Sequence, residues 1–457
     1  MEPPYRLIAG ISLAILAAGL CSGQEPRLKT LSLADARKIA LTQNWDILAA
    51  KSGIETAEAQ KVIARQFPNP TVSLSVAKIN VDGTSNSYEQ PLTPGQNLMQ
   101  SLAPPSRVVA VTPARKNGFW DRTYDTIVAV SQLFELGGKR KHRLEAAKAG
   151  VEAAKAQFDD AGRILDSAVI KAYGDVLLAL TNVHILQESA ASMREEAQLA
   201  GVRENAGDIS STDRLQIEVE ADRLDADARA ALATAAQARV TLTTLLGLAV
   251  PNADWEPIEE LDALAGLAAP GGADEARGRP DLLAAKAMVK KADAELLGQK
   301  ALKIPDPTVS LNYEHEPPDG PNSIGVGVSV PLPAWHRYGG EVKTAEIARD
   351  DAQRDVRRVN AQIDAERSQA RIAYAAALER WNNYKTNVQP KSIQIRENVS
   401  FAYRKGGMSL LDLLSTQRTC NAARMETAQS AADTLSALTD LCAAFNTTLA
   451  TEKEVTK

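Results

Sequence analysis

The sequence predicts a mainly α-helical protein made of long antiparallel helical hairpins, with four amphipathic strands as its β component. Hydrophobic residues make up 44% of the 457-residue chain, but aromatic residues only 4%. Bulky rings usually fill large globular cores, whereas small side chains suit helices packed closely side by side. A heptad pattern indicates that the hairpins are long, and an internal repeat indicates that there are two of them.

The N-terminal segment, residues 1–23, has the features of an export signal. Arg6 is followed by the apolar run Leu7–Leu20 and then by small residues, so we expect cleavage at the end of this segment. Cys21 makes a lipid anchor a second interpretation, although Leu20 precedes it where lipoprotein signals usually have a small residue. No later apolar segment is long enough to span a bilayer as a helix, so any membrane-spanning part must consist of strands.

Three motifs recur in the same order, which makes the chain two copies of one unit. They are DILAAK at 46–51 and DLLAAK at 281–286, PNPTVSL at 68–74 and PDPTVSL at 305–311, and the Gly-x-x-Ser motifs at 207–210 and 406–409. We predict a signal peptide at 1–23, repeats at 24–250 and 280–450, a linker at 251–279 and a tail at 451–457.

Each repeat is predicted to contain a helix, two strands and a long helical hairpin. The first helix (33–66 and 280–302) ends at Pro-x-Pro, because proline lacks the backbone donor. Apolar residues then alternate with small polar ones, as in TVSLSVA at 71–77. This period fits either a half-buried soluble sheet or strands that face lipid. Four strands cannot close a membrane barrel, but three chains would supply twelve.

The hairpin helices carry seven-residue repeats of large residues, with alanine at intermediate positions. The stripes are Leu144, Val151, Phe158 and Leu165 with Ala147, Ala154, Ala161 and Ala168, and Ile217, Leu224, Ala231, Ala238 and Leu245 with Ala221, Ala228, Ala235 and Leu242. A helix over 139–203 would be about 95 Å long at 1.5 Å per residue, which suits a span of the periplasm. Pro390 interrupts a helix of the second repeat and is expected to bend it.

The two hairpin tips are the candidate functional points. Gly207, and Gly406 or Gly407, can end a helix in the left-handed conformation. Asp213 and Asp412 each close an S-x-x-D motif that is typical of a helix-starting capping box. One interpretation is a purely structural cap. The other is that Asp412, repeated around an axis, narrows and charges an aperture that favours cations. Both roles are compatible.

Other kinds of chemistry find little support. The net charge of −5 does not indicate the basic surface that nucleic-acid binding requires. The four histidines lack metal-ligand spacing, and there is neither a phosphate-binding loop nor a Ser-His-Asp arrangement. We therefore predict no catalytic residue, resident metal or cofactor. A basic cluster at 139–143 is interpreted as a solvated helix start, with contact to anionic lipid as the alternative.

Taken in order, these motifs resemble those of TolC-like outer-membrane efflux proteins over nearly the whole mature chain. The resemblance rests on LSLADA at 31–36, the duplicated Pro-Asn/Asp-Pro-Thr, and the tip motif YRKG at 403–406 followed by SLLDLL at 409–414. The segment SQLFELGGKR at 131–140 is similar to the CzcC-like branch, which serves heavy-metal cation efflux. In the first repeat Glu204 stands where the second has Tyr403, so only the second tip is close to the family pattern.

The resemblance implies a homotrimer in the outer membrane with a long periplasmic extension. Its twelve strands would form a β-barrel in outer-membrane lipid, and its hairpins an α-barrel that docks on a periplasmic adaptor (membrane fusion) protein and an inner-membrane RND-type pump. The implied function is passive conduction of heavy-metal cations, without enzymatic activity. The alternatives are a soluble periplasmic coiled-coil adaptor, or a duct of the same fold for drugs or secreted protein. The predicted aperture and tip residues are Asp412, Asp213, Asp208, Gly207, Gly406, Gly407, Tyr403 and Arg404.

Overall fold

The computed structural model describes residues 29–77, 125–248, 254–269, 278–316 and 320–449. The predicted signal peptide with Cys21, the long connection at about 80–123, parts of the linker and the tail at 451–457 lie outside these residues. The helices are α1 Leu33–Gln43, α2 Trp45–Arg65, α3 Lys139–Asn205, α4 Ser211–Leu245, α5 Leu261–Ala265, α6 Pro280–Ala301, α7 Gly339–Asn383, α8 Gln389–Arg404 and α9 Leu410–Ala444. The strands are β1 Thr30–Leu31, β2 Thr71–Ala77, β3 Asp125–Leu133, β4 Glu256–Pro257, β5 Thr308–Glu316 and β6 Gly320–Ser329.

The described residues fall into two compact units. The helical unit comprises those within Met1–Thr56, Glu152–Lys286 and Asp355–Lys457, and the sheet unit those within Ala57–Val151 and Ala287–Arg354. The predicted mainly helical fold with a few strands is confirmed. The division into repeats at 24–250 and 280–450 stays a prediction. Among the described helices, none combines the length and the apolar character needed to cross a membrane.

The sheet unit contains a four-stranded antiparallel sheet in the order β2-β3-β5-β6. Its register aligns apolar residues on one face, in the rows Val72, Val130, Leu311, Val326 and Leu74, Val128, Tyr313, Ile324. The opposite face carries small and polar residues, such as the row Ser73, Ala129, Asn312, Gly325. The apolar face is open to its surroundings, and Val326 is 75% exposed. The predicted period of two is confirmed.

The first helix differs from its prediction, because 33–66 is not continuous but breaks at Asn44. The side chain of Asn44 accepts a hydrogen bond from the backbone N–H of Asp46 (2.8 Å) and donates one to the carbonyl of Leu245 (2.8 Å). It therefore starts α2 and ties the break to the end of α4. Gly247 belongs to the same contact, since a Cβ there would lie 2.3 Å from the carbonyl oxygen of Gln43.

The heptad stripes are confirmed only in part on both α3 and α4. On α4, Ile217, Leu224 and Leu242 are buried, whereas Ala231, Ala238 and Leu245 are half-buried. On α3, Val151 and Leu165 are buried, whereas the other members of the stripe are half-buried. A straight helix drifts by about 20° per heptad from a strict seven-residue repeat. The stripe therefore rotates away from one neighbour along a 67-residue helix.

The helix contains a widened turn just before Pro390, whereas the bend itself stays a prediction. Tyr384–Val388 is a π-helical turn, and Pro390 follows in the first turn of α8. Proline offers no N–H to the carbonyl of Thr386, and its ring crowds that oxygen. A wider turn relieves the clash without ending the helix.

The core of the helical unit surrounds a two-stranded parallel sheet of β1 and β4. Tyr173 and Trp255 are buried beside it, with their rings stacked. The Tyr173 hydroxyl donates a 2.5 Å hydrogen bond to Glu259, whose carboxylate also accepts from the backbone N–H of Leu33 (3.2 Å). These contacts hold the chain entering α1 against the middle of α3.

Candidate functional site

The two hairpin tips share one backbone design. Gly207 (φ +80°) follows α3 and Gly406 (φ +77°) follows α8, both in the left-handed conformation predicted for a helix end. Gly407 does not have a positive φ, so Gly406 is the helix-ending glycine of the second tip. The N–H groups of Asp208 and Gly407 bond back to the carbonyls of Arg203 (2.9 Å) and Ala402 (2.8 Å).

Both return helices begin with a capping box, as the S-x-x-D motifs predict. At α4, Ser210 accepts from the N–H of Asp213 (3.1 Å), and Asp213 accepts from the N–H of Ser210 (3.4 Å). At α9, Ser409 and Asp412 do the same, at 3.2 Å in each direction. Only Oδ2 of Asp412 takes part in this cap. Asp412 is exposed, and its Oδ1 accepts no hydrogen bond from the described residues.

Tyr403 connects the two hairpins near their tips. It is only 7% exposed and belongs to a hydrophobic cluster with Met193 of α3, Ile217 of α4 and Leu413 of α9. The guanidinium of Arg203 lies 5.3 Å from its ring centroid, at the distance of a cation–π contact. Burial raises the pKa of the Tyr403 hydroxyl.

The equivalent position of the first tip, Glu204, has a different role. Its carboxylate lies 2.5 Å from Nε of Arg214, in a pair whose side chains are both partly exposed. Asp208 in the same turn lies 3.7 Å from Arg203 and is largely exposed. At the equivalent position the first tip therefore has a surface ion pair, and the second a buried ring.

Among the described residues, four ion pairs join the hairpins. Lys171 of the first hairpin meets Asp440 of the second (2.6 Å), and each of the other three has its carboxylate on the first hairpin and its arginine on the second. These three pairs are Glu188–Arg424 (2.5 Å), Glu196–Arg404 (2.5 Å) and Glu220–Arg418 (2.7 Å). The Glu220 side chain is only 4% exposed. Hydrogen bonds from Arg418 lower its pKa, and hydrogen bonds from Arg424 lower that of Glu188.

Arg404 was a predicted tip residue, whereas its partner Glu196 and the pair Glu220–Arg418 were not. A signal for Glu220 was present in the sequence. It lies three residues after Ile217 and beside Ala221, on the apolar stripe of α4. A lone carboxylate at such a position indicates a buried partner, but the sequence does not say which arginine that partner is.

The surface around the tips is partly apolar. A groove of about 350 Å³ lies between the last turns of α3 and the pair Tyr403–Arg404. Exposed apolar side chains surround the tips, namely Leu199, Val202, Leu215, Val219, Phe401 and Leu411. Such a combination of groove and apolar side chains is typical of an interaction surface.

One further acidic group lies in the sheet unit. The carboxylates of Asp125, Glu314 and Glu316 come within 4.8 Å of one another at the end of the sheet away from α3 and α7. Among the described residues this is the one group with the spacing of metal ligands, and the sequence analysis did not single it out.

Comparisons with known proteins agree with this architecture. A family model described as outer membrane efflux protein matches residues 36–248 and 274–447. The cobalt-zinc-cadmium resistance protein CzcC of Cupriavidus metallidurans is 26% identical over 396 residues, covering 86% of this chain and 85% of CzcC. Nodulation protein T of Rhizobium leguminosarum bv. trifolii is 24% identical over 412 residues, covering 83% of this chain and 77% of that protein.

A solved structure has the same fold at low sequence identity. The crystal structure of CusC, from a study of its folding and transmembrane channel formation, aligns with a TM-score of 0.72 at 15% identity, covering 92% of this chain and 94% of CusC. The family consists of channels and not of enzymes, which confirms the prediction of a non-enzymatic protein. With most of its length matched by the family model, the chain belongs to the outer membrane efflux protein family.

Proposed function

We propose that this chain is the outer-membrane duct of a tripartite efflux system and passively conducts divalent heavy-metal cations to the exterior. It acts as a homotrimer whose twelve strands form the barrel in the outer membrane. The helical hairpins extend into the periplasm and meet an adaptor protein and an inner-membrane RND-type pump. The family membership supports the duct over the alternative of a soluble adaptor.

The observation that carries this proposal is the sheet. Its apolar face is exposed along all four strands, as expected of strands that face lipid. In addition, β2 and β6 are both edge strands. An open edge in a membrane leaves backbone groups unpaired, which costs several kcal/mol per group. Pairing of β6 with β2 of a neighbouring copy removes both edges, and three copies supply the strands of a closed barrel.

The tips form the periplasmic aperture. Asp412 is exposed and keeps one carboxylate oxygen outside its cap, so three copies around an axis can both cap their helices and line the opening with negative charge. Asp213 and Asp208 provide the corresponding charges of the first tip. Gly207 and Gly406 make the turns, Gly407 bonds back to α8, and Tyr403 and Arg404 hold the second hairpin against the first.

The adaptor contacts the apolar side chains and the groove around these tips. A hydrophobic patch with charged neighbours suits a protein partner better than a small solute. The cognate adaptor has a surface that is complementary to this patch, which includes the exposed side chains of Phe401 and Leu411.

The cargo assignment is supported by the similarity to CzcC, a cobalt-zinc-cadmium resistance protein, over most of both chains. A duct of the same fold for drugs or secreted protein stays the competing hypothesis, because nodulation protein T, which is also similar over most of its length, is not named for metal resistance. A duct does not need tight metal ligands, since tight binding slows release.

The test is growth of a deletion strain on cobalt, zinc, cadmium, copper and silver salts, beside a panel of drugs and detergents. We expect selective sensitivity to divalent metals that the intact gene restores. Sensitivity to drugs alone would retain the duct and reject the metal cargo. In the same strain, the Asp412→Asn variant should still assemble into trimers. A loss of metal resistance in that strain would then reflect conduction and not folding.

A further inference from the structure

The two ends of the four-stranded sheet differ in charge. At the end where α3 and α7 begin, the ranges 65–70, 133–143, 303–308 and 330–338 contain seven lysine and arginine residues against two carboxylates. The opposite end carries the acidic group of Asp125, Glu314 and Glu316. The helix-side end, defined by these four ranges and called the basic rim here, is therefore suited to an anionic partner.

Within the basic rim, the two carboxylates are already neutralised. Asp306 lies 2.7 Å from Lys139, and Glu135 lies 2.7 Å from Arg143. The remaining cations of the rim are Arg65, Arg140, Lys141, Lys303 and Arg337. Among the described residues, Lys141 has only a loose contact, 3.9 Å to Glu145. Within the described part of the chain, the rim thus keeps more positive charge than its close ion pairs neutralise.

Arg140 is the best-defined of these cations. Its guanidinium lies 3.9 Å above the ring centroid of Phe67, and its Nε donates to the carbonyl of Arg65 (2.7 Å). No described carboxylate lies within ion-pair distance of it. Two contacts therefore fix its position, while the guanidinium nitrogens other than Nε remain available for a bidentate contact with an oxyanion such as phosphate.

The rim is also strongly apolar. Trp335 is 97% exposed, and Phe67, Phe134 and Leu332 are each more than half exposed. These side chains continue the exposed apolar face of the sheet toward the helices. Tryptophan and other aromatic residues at this level, next to lysine and arginine, are typical of the boundary between hydrocarbon and headgroups. A soluble phosphate ion could bind the cations of the rim, but it would leave these apolar side chains exposed to water.

We propose that the basic rim binds the headgroups of anionic phospholipid, with Arg140 and Lys141 as phosphate ligands and the aromatic side chains in the acyl-chain boundary. This inference rests on the membrane placement of the sheet in the proposed function. Phosphatidylglycerol fits because it presents one phosphate without a balancing ammonium. A zwitterionic lipid offers the same phosphate but less net attraction to the excess charge of the rim.

The test uses the full-length protein purified in a neutral detergent. Phosphatidylglycerol and phosphatidylcholine are titrated separately, and bound lipid is counted by native mass spectrometry beside the thermal unfolding midpoint. We expect phosphatidylglycerol to be retained and to raise the midpoint more than phosphatidylcholine. Arg140→Gln and Lys141→Gln should each bind it about five-fold more weakly, as expected for loss of one cation near anionic lipid.

The matched control is Lys148→Gln, which removes the same charge from α3 about 10 Å farther along the helix and should bind like the wild type. Arg140→Lys should recover part of the binding. Equal binding by all variants would overturn the proposal. Equal displacement by inorganic phosphate would indicate a free anion, and loss of oligomers in Arg140→Gln would indicate a contact between copies. None of these outcomes depends on metal transport.

Discussion

The two hairpin tips have the same backbone but hold their helices together in different ways. Each has a left-handed glycine and an Ser–Asp capping box at matching positions. At the position of Glu204 the first tip has the partly exposed ion pair Glu204–Arg214. The second places Tyr403 in the hydrophobic cluster between the hairpins. Both repeats therefore form the same turn, but each tip packs against the neighbouring hairpin through different residues.

Three of the four ion pairs between the hairpins have the same polarity. The first hairpin supplies Glu188, Glu196 and Glu220, and the second supplies the three arginines, whereas the fourth pair, Lys171–Asp440, is reversed. The three arginine–glutamate pairs favour packing of the second hairpin against the first.

The largest difference between the tips should come from Tyr403→Ala compared with Glu204→Ala. Removing a buried aromatic ring costs about 3 kcal/mol, whereas an exposed ion pair contributes about 0.5 kcal/mol. Hydrogen exchange of the backbone amides, measured in α8 and α9 for Tyr403→Ala and in α3 and α4 for Glu204→Ala, gives the local opening free energy of each tip. Equal effects of the two substitutions would show that the tips are attached alike.

A second prediction concerns the buried carboxylate Glu220. Glu220→Gln should lower the local stability at pH 7 by about 2 kcal/mol, since Arg418 and Arg223 lose a charged partner. Glu218→Gln, on the same helix but more exposed, is the control and should change it little. Hydrogen exchange of α4 and α9 would again measure the difference.

The same residue should give the tip a pH dependence. Arg418 lowers the pKa of Glu220 from its ordinary value of 4.5. A carboxylate whose folded-state pKa is lowered adds stability that is fully present above the unfolded-state pKa and is lost as the pH falls through the folded-state pKa. The wild-type tip should therefore loosen below about pH 4. Limited proteolysis across this range should show a weaker change for Glu220→Gln, and identical profiles would contradict this assignment.

A smaller effect is expected from the glycines, where the tips should behave alike. Gly406→Ala and Gly207→Ala should each cost about 1 kcal/mol, because alanine avoids the left-handed conformation. Gly407→Ala is the internal control, since its φ is not positive and a Cβ there would make only an ordinary contact. Thermal unfolding midpoints of the three variants would test this order, and a larger loss for Gly407→Ala would refute it.

The smallest change in stability is expected for Asp412→Asn and Asp213→Asn, since asparagine also caps helices. Their effects on conduction should differ. Asp412→Asn should reduce the cation selectivity of purified trimers in a planar bilayer and raise their leak conductance, and Asp213→Asn should affect both less. If Asp412→Asn left conductance and selectivity unchanged, only the cap role would remain.

Local chemistry was predictable from the sequence wherever the relevant residues are neighbours in the chain. The capping boxes, the left-handed glycines and the period of two in the strands depend on contacts within a few residues. The break at Asn44 was missed because it depends on the carbonyl of Leu245, 201 residues away. The partial burial of the α3 and α4 stripes was missed because the neighbours of a long helix change along its length.

By itself, the sequence determined the mainly helical fold, the amphipathic strands, the geometry of both tips and the resemblance to efflux ducts. These features follow from composition, periodicity and repeated motifs, which depend only on the order of residues along the chain. Only the tertiary structure decided which arginine meets which glutamate, that Tyr403 is buried while Glu204 is not, and that Arg140 is held on Phe67. The physical reason is that burial and charge pairing depend on distances between segments far apart in the chain, and a local pattern contains no such distance.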